Sequence, residues 1–106
     1  MLLPYFSKKG VTRLTLDNLP DAFRAHLRVS IIACLMRGPL DFRSLRDATG
    51  SSDGNLSVQL SNLERMGYLE SKKEFVERKS HSTYSLTALG REEFRSYVTL
   101  LIKKIV

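Results

Sequence analysis

Residues 51–67 read SSDGNLSVQLSNLERMG, and their spacing predicts one amphipathic helix that ends at a glycine. The three leucines of this stretch recur at i, i+4 and i+7, so they share one face of a helix. Ser52 precedes the apolar run, where its hydroxyl oxygen can cap free backbone N–H groups of the first turn. Gly67 follows the last periodic residue, where a left-handed C-terminal cap is expected. We therefore predict a helix over residues 52–66.

The side of this helix opposite the leucines is polar but almost uncharged; it carries Ser51, Gly54, Asn55, Val58, Ser61, Asn62 and Arg65. An ordinary solvated helix face carries Lys and Glu in i,i+4 pairs. Ser, Asn and Gln instead both donate and accept hydrogen bonds, as the edges of DNA bases require. Val58 could contact a thymine methyl group, and Gly54 would let the backbone approach a phosphate. The pattern favours a helix that binds a partner through this face. The alternative is an ordinary surface helix that binds none.

Length and composition are typical of one globular domain with a basic surface. The chain has 106 residues, of which 42% are hydrophobic, so a single domain with one core is expected. Seventeen Lys and Arg against 11 Asp and Glu give a formal net charge of +6, and the pI is near 9.8. This excess points to a polyanionic partner, a signal that gains weight only together with a motif.

What the sequence lacks argues against several classes of protein. No apolar run reaches the roughly 18 residues of a membrane span, and the positive charges of MLLPYFSKK follow its apolar part, unlike a signal peptide. We therefore expect a cytoplasmic protein with no membrane partner. The single cysteine, Cys34, lies in an apolar helical stripe, which favours a core residue over a redox or metal role. The sequence carries no catalytic motif or ligand cluster, so neither an enzyme nor a metal or other cofactor is expected.

The chain before this helix predicts two further helical regions and a short strand. Residues 1–16 are expected to form an arm that packs on the domain or on a partner subunit; the alternative is that Lys8, Lys9 and Arg13 contact DNA phosphates. Residues 17–38 are predicted to be helical in two pieces, 17–23 and 25–37, ended by a Gly-Pro pair.

A short strand at Leu40 leads into a second predicted helix, 42–49, which Asp41 caps and Gly50 ends. This helix is joined to the polar helix by a tight turn. Together they form a predicted helix-turn-helix unit.

After Gly67 the apolar period changes from 3.6 to 2, which predicts a hairpin over residues 69–86. The tip, 76–82, is polar and lacks a two-residue turn signal, so the register stays open. Between residues 72 and 83 there are four basic and two acidic side chains. We interpret this basic hairpin, which directly follows the polar helix, as a wing.

The last predicted helix covers residues 87–106 and is capped by Thr87. It carries an apolar seam wider than a terminal helix of a small domain needs. Part of the seam should pack on the first helix and part should be left for a second subunit. The predicted dimer interface consists of Phe94, Tyr97, Val98, Leu101, Ile102 and Ile105.

The order of elements and two strings resemble the small winged helix-turn-helix transcriptional regulators grouped near the MarR and ArsR repressors. The strings are HLRVSIIACLMRGPLDFRSLRDATGSSDGNLSVQLSNLERMGYLE and FVERKSHSTYSLTALGREEF, and the resemblance is specific over residues 26–90. It implies a mainly α fold with a small β-hairpin wing, one winged-helix domain over 1–106. Residues 25–86 would form the helix-turn-helix and wing, and residues 87–106 a dimerisation helix.

The resemblance also implies a homodimer that docks its third helix in the major groove of double-stranded DNA. The DNA-facing positions would be Ser51, Ser52, Gly54, Asn55, Val58, Gln59 and Asn62 on the helix and Arg78, Lys79, His81 and Ser82 on the wing. Similar proteins often carry a basic residue at the position of Val58. They also carry a glycine and a basic pair where Glu77, Arg78 and Lys79 stand.

The function expected from these features is sequence-specific binding of a palindromic operator by a transcriptional regulator. Asn55, Gln59 and Asn62 are the candidates for base contacts. The candidates for phosphate contacts are Lys72, Lys73, Arg78 and Lys79 on the wing and Arg43 and Arg46 on the preceding helix. A small-molecule effector is compatible with this function, but no residue identifies it. The alternative is a winged-helix module that binds an acidic protein instead of DNA.

Overall fold

The computed structural model describes residues 14–105 and shows a helical domain with a three-stranded antiparallel sheet at one side. The elements in chain order are a short 3-10 helix (Asp21–Phe23), α1 (His26–Leu35), β1 (Leu40–Asp41), α2 (Phe42–Thr49), α3 (Asp53–Arg65), β2 (Leu69–Val76), β3 (Lys79–Leu86) and α4 (Ala88–Ile105). The strand order is β1-β3-β2. This architecture confirms the predicted mainly α fold with a hairpin wing.

The core lies where α1, α2 and α3 meet the base of the hairpin. The three leucines of α3 are fully or almost fully buried there, as their spacing predicted; they pack with Ile31, Ile32, Leu35, Leu45, Leu69 and Leu86. Burial of such side chains contributes about 1.5–3 kcal/mol each relative to leaving them exposed. Because the leucines bury one side of α3, the opposite side of the helix faces away from the core.

Side-chain caps fix where the two helices of the helix-turn-helix begin. The Asp41 carboxylate accepts a hydrogen bond from the Ser44 backbone N–H at 2.8 Å, and the Ser52 hydroxyl accepts one from the Asn55 N–H at 3.2 Å. Both caps agree with the prediction, and each contributes about 1 kcal/mol. The start of α3 is therefore set locally, next to the end of α2.

The end of α3 places the wing directly beside it. Gly67 has φ of +85°, a conformation that costs glycine little. The Tyr68 N–H donates to the Leu63 carbonyl at 3.0 Å, as in a Schellman cap. The chain thus leaves α3 within two residues and enters β2.

The hairpin pairs with its register fixed from Leu69↔Leu86 to Val76↔Lys79, which leaves a turn of two residues, Glu77 and Arg78. The expectation of a longer tip over 76–82 was therefore wrong. Both turn residues have positive φ, 50° and 67°, as a type I′ turn requires. Such turns usually contain Asn-Gly, so the sequence lacked the signal that would have revealed it.

The N-terminal prediction is corrected in part. Residues 1–13 of the predicted arm lie outside the described part of the chain. Residues 17–20 are not helical, and a single 3-10 turn, Asp21–Phe23, replaces the predicted helix 17–23. The second piece is shorter than expected, since α1 runs from His26 to Leu35.

Helix α4 is anchored on the junction between α3 and the wing. The Thr87 hydroxyl caps α4 by accepting from the Gly90 N–H at 3.0 Å, and it donates to the Gly67 carbonyl at 2.6 Å. The Tyr68 hydroxyl donates to the Glu93 carboxylate. The pKa of Tyr68 is raised, mainly by burial of the hydroxyl and also by this hydrogen bond. The first half of α4 is therefore fixed to the residues that join α3 to β2.

Among residues 14–105 no helix combines the length and apolarity that a membrane span requires.

Candidate nucleic-acid interface

The outward side of α3 is an exposed, weakly charged surface, as predicted. Val58 lies near the centre of this surface, and its side chain is 55% exposed. Ser52, Gly54 and Asn55 are also exposed, at the N-terminal end of the helix, whereas Ser51 is half-buried. Apart from the exposed Arg65, this surface presents small groups and polar atoms.

Three amide side chains lie along one edge of α3 at i, i+4 and i+7; this amide row is Asn55, Gln59 and Asn62. Asn55 is exposed, while Gln59 and Asn62 are half-buried. The Asn62 Nδ2 approaches the Gln59 Oε1 at 3.5 Å. The structure thus brings together the three residues that the sequence proposed for base contacts.

Arg28 of α1 contacts the amide row from the interior side and was not anticipated. Its Nη1 donates to the Gln59 Oε1 at 2.9 Å, and its side chain is only 12% exposed. Its Nε and Nη2 both donate to the Asp21 carbonyl, at 3.2 and 2.9 Å. The contact joins positions 31 apart in sequence, so no local pattern could have revealed it.

Arg65 supplies the cation on the outward side of α3. Its Nη2 donates to the Asn62 Oδ1 at 2.6 Å, which holds the guanidinium next to the amide row. At about 100° per residue Arg65 lies almost directly opposite the leucines. The sequence placed Arg65 on this side but did not include it among the DNA-binding candidates.

Arg46 of α2 is held by acidic neighbours. Its Nη1 donates to the Asp53 carboxylate at 3.1 Å, and its Nε lies 3.7 Å from Asp47. The hydrogen bond with Asp53 raises the pKa of the Arg46 guanidinium. Arg46 therefore neutralises the acidic residue in the first turn of α3. Its predicted role as a phosphate clamp would require this pair to open.

The wing carries exposed cations near its tip. Lys72 lies 3.6 Å from Glu74 in a pair whose side chains are both largely exposed, so the pair holds Lys72 weakly. In the described part of the chain, Lys73, Arg78 and Lys79 form no ion pair. Glu77 is at the tip itself and places one carboxylate among these cations.

A groove of about 340 Å³ separates the start of α2 from β3; it is lined by Asp41, Phe42, Arg43, Lys79, Ser80, His81 and Ser82. It brings the exposed Arg43 to the same side as the wing candidates. The pKa of Asp41 is lowered, mainly by hydrogen bonds from Ser44 and also by the charges of His81 and Arg43. An anion in this groove would meet the Arg43 and Lys79 side chains, with the Asp41 carboxylate beside them.

The apolar seam of α4 is divided between the core and the surface. The ring of Tyr97 stacks on Phe23 with centroids 4.7 Å apart and an angle of 10°, and Phe94 packs on both. The structure thus assigns Phe94 and Tyr97 to the domain's own packing, and Leu101 is half-buried. Val98, Ile102 and Ile105 remain exposed, the last two by 54% and 84%.

Within residues 14–105 no three His, Cys, Asp or Glu side chains come together as a metal site would require. Cys34 is half-buried. The arrangement offers hydrogen-bond donors, hydrogen-bond acceptors and cations.

Comparisons with known proteins agree with this geometry. Over 77 residues the chain is 31% identical to an uncharacterised protein of Methanocaldococcus jannaschii, covering 72% of this chain and 84% of that protein. It is also 31% identical to the solved structure of ytfH from Salmonella typhimurium, provisionally named a transcriptional regulator. That match has a TM-score of 0.66 and covers 77% and 72% of the two chains.

Two more distant structures share the fold. A regulator of the MarR family from Enterococcus faecalis has a TM-score of 0.72 at 19% identity, covering 79% of this chain and 76% of its own. The complex of S. aureus MepR with DNA has a TM-score of 0.68 at 14% identity, covering 76% and 67%. A model of the winged helix DNA-binding domain matches residues 27–106. The chain therefore belongs to the family of winged helix DNA-binding domains.

Proposed function

We propose that this protein is a transcriptional regulator that binds a palindromic DNA operator as a homodimer. The observation that carries the proposal is the outward side of α3, where the amide row and Arg65 surround the exposed Val58. Amide and guanidinium groups are the side chains that pair with base edges in the major groove, and a small apolar group suits the thymine methyl. The narrow, polar and weakly charged surface fits a groove better than it fits a protein partner.

The wing and the start of α2 would hold the DNA backbone. Lys72, Lys73, Arg78 and Lys79 are all exposed, and the groove beside β3 adds Arg43, His81 and Ser82. Contacts to phosphates position a protein on the duplex and carry little sequence information. The wing would therefore supply affinity, on the backbone or in the minor groove, while α3 supplies the choice of site.

The homodimer is supported by the exposed apolar residues at the C-terminal half of α4. Exposed apolar side chains do not stabilise a monomer in water. A symmetric partner would bury Val98, Ile102 and Ile105 together. To enter successive major grooves, the two α3 helices of such a dimer would lie about 34 Å apart. The preferred site would then be an inverted repeat.

The experiment is fluorescence anisotropy of a labelled random-sequence duplex, titrated with the protein at several salt concentrations. A DNA interface predicts binding at low salt that weakens with a steep log–log slope, about 0.9 for each phosphate contact. An Arg78→Ala, Lys79→Ala double variant should reduce that slope by about 2 if the wing holds phosphates. Absence of binding at low salt would overturn the proposal in favour of an acidic protein partner.

A further inference from the structure

The amide of Gln59 is held in one orientation by the interior of the protein. Its Oε1 accepts a hydrogen bond from Arg28 at 2.9 Å and lies 3.5 Å from the Asn62 Nδ2. An amide oxygen has two lone pairs, and the Arg28 and Asn62 donors occupy both. The bond from Arg28 is the stronger of the two because its donor is charged.

Arg28 is itself fixed, so it cannot follow a rotation of Gln59. Two of its nitrogens bind the Asp21 carbonyl at 3.2 and 2.9 Å, and only 12% of the side chain is exposed. Turning the Gln59 amide by 180° would place its NH₂ group against the N–H of Arg28. That arrangement opposes two donors and leaves a nearly buried cationic donor without a partner, which is costly.

The nitrogen of the same amide is free to act outward. Among residues 14–105, no group accepts a hydrogen bond from the Gln59 Nε2. With the oxygen held by Arg28 and lying next to the Asn62 amide, the nitrogen occupies the other prong of the Gln59 amide. Toward a ligand on α3, Gln59 is therefore a donor with two N–H groups and no available acceptor.

This orientation has a consequence for base recognition. Glutamine reads adenine through both prongs, accepting from N6 and donating to N7. Guanine presents two adjacent acceptors, O6 and N7, whereas thymine presents one acceptor and a methyl group. We propose that Arg28 is a positioning residue that fixes Gln59 as a donor, so that Gln59 selects guanine over adenine at one position of each half-site.

This inference rests on the proposed function, and its test begins with the wild-type chain. Selection from a library of random duplexes gives the preferred site, and anisotropy on duplexes that differ only at the position read by Gln59 gives the guanine-to-adenine ratio. A ratio of at least about fivefold is expected in the wild type. If the wild type binds no duplex at low salt, the proposed function fails and this inference falls with it.

Two variants then isolate the role of Arg28. Arg28→Met removes the donors but keeps an unbranched stem, so Gln59 can turn and accept from adenine, and the ratio should fall to within about twofold. Gln59→Glu keeps an oxygen for Arg28 and turns the outward donor into an acceptor, so the preference should shift to a base that donates, such as cytosine. Arg37→Met, an exposed change of the same charge on the turn after α1, should leave the ratio unchanged.

The outcomes separate cleanly. If the wild type selects a site but the ratio is the same in Arg28→Met and Gln59→Glu, this inference is wrong while the proposed function stands. A loss of affinity in Gln59→Glu that is uniform over all sequences would place Gln59 on a phosphate and would also overturn it. If Arg28→Met does not fold, Gln59→Glu decides the question, because it retains the contact with Arg28.

Discussion

The backbone of Gly90 packs against Tyr68 so closely that a Cβ atom at position 90 would lie 2.5 Å from the Tyr68 carbonyl oxygen. The same carbonyl accepts a hydrogen bond from the Thr87 N–H at 2.9 Å. The first turn of α4 is therefore locked onto the residue that joins α3 to the wing. Any rearrangement of α4 against the domain would therefore disturb the junction between α3 and the wing.

Gly90→Ala should destabilise the protein, because backbone cannot yield to the added methyl group as a flexible side chain would. The expected loss in the free energy of unfolding is about 1–3 kcal/mol, measured by urea denaturation. Gly54→Ala is the matched control, since a Cβ there meets nothing within 4 Å and alanine favours helix. Equal stability of the two variants would contradict the close contact.

Glu77→Asn should raise both stability and DNA affinity. Glu77 has φ of +50°, which asparagine tolerates better than glutamate, so the free energy of unfolding should rise by about 0.5–1 kcal/mol. Loss of the carboxylate at the wing tip should tighten DNA binding. Glu77→Gln removes the charge without relieving the backbone, so it should change affinity alone. A gain in stability of the same size in Glu77→Gln would argue against backbone strain.

The stability contributed by Asp41 should depend on pH. Hydrogen bonds from Ser44 hold the folded pKa of Asp41 below its ordinary value of 3.8, so the contribution is complete above that value and is lost as pH falls through the folded pKa. Asp41→Asn keeps a capping oxygen but no charge, and should be about 0.5 kcal/mol less stable at pH 7. The two proteins should converge as the pH falls through the lowered folded pKa of Asp41. A difference that persists in acid would contradict the assignment.

Ile102→Glu should convert a dimer into a monomer. Ile102 is 54% exposed in the single chain, so the substitution should leave the fold intact while burying a charge in any symmetric interface. Sedimentation equilibrium at several concentrations measures the change. Thr99→Glu, also exposed on α4, is the control. A wild-type chain that is monomeric at all concentrations would remove the homodimer from the proposed function.

Much of the fold could be predicted from the sequence because its determinants are local. The leucine spacing of α3, the caps Asp41, Ser52 and Thr87 and the C-terminal Gly67 each act within a turn of helix, and all are found as expected. The change of period after Gly67 likewise predicted the hairpin that β2 and β3 form.

The remainder depended on contacts between distant parts of the chain. Arg28 looks like a surface residue of an amphipathic helix until α3 is placed beside it. The role of Gly90 requires knowing that Tyr68 crosses below it, and the tight turn at Glu77 has the geometry of Asn-Gly without its residues. Likewise, only the position of Phe23 shows that Tyr97 packs within the domain.

The most direct test of the central claim is the affinity of Val58→Asp for duplex DNA, compared with that of Ala33→Asp. Both positions are exposed on helices, and both variants add one negative charge, but only Val58 lies on the outward side of α3. The account predicts that Val58→Asp loses at least about tenfold in affinity, because a carboxylate would enter the groove against the phosphates and base acceptors. Ala33→Asp should lose less than about threefold through net charge alone. Equal losses in the two variants would show that DNA does not bind through α3 and would contradict the account.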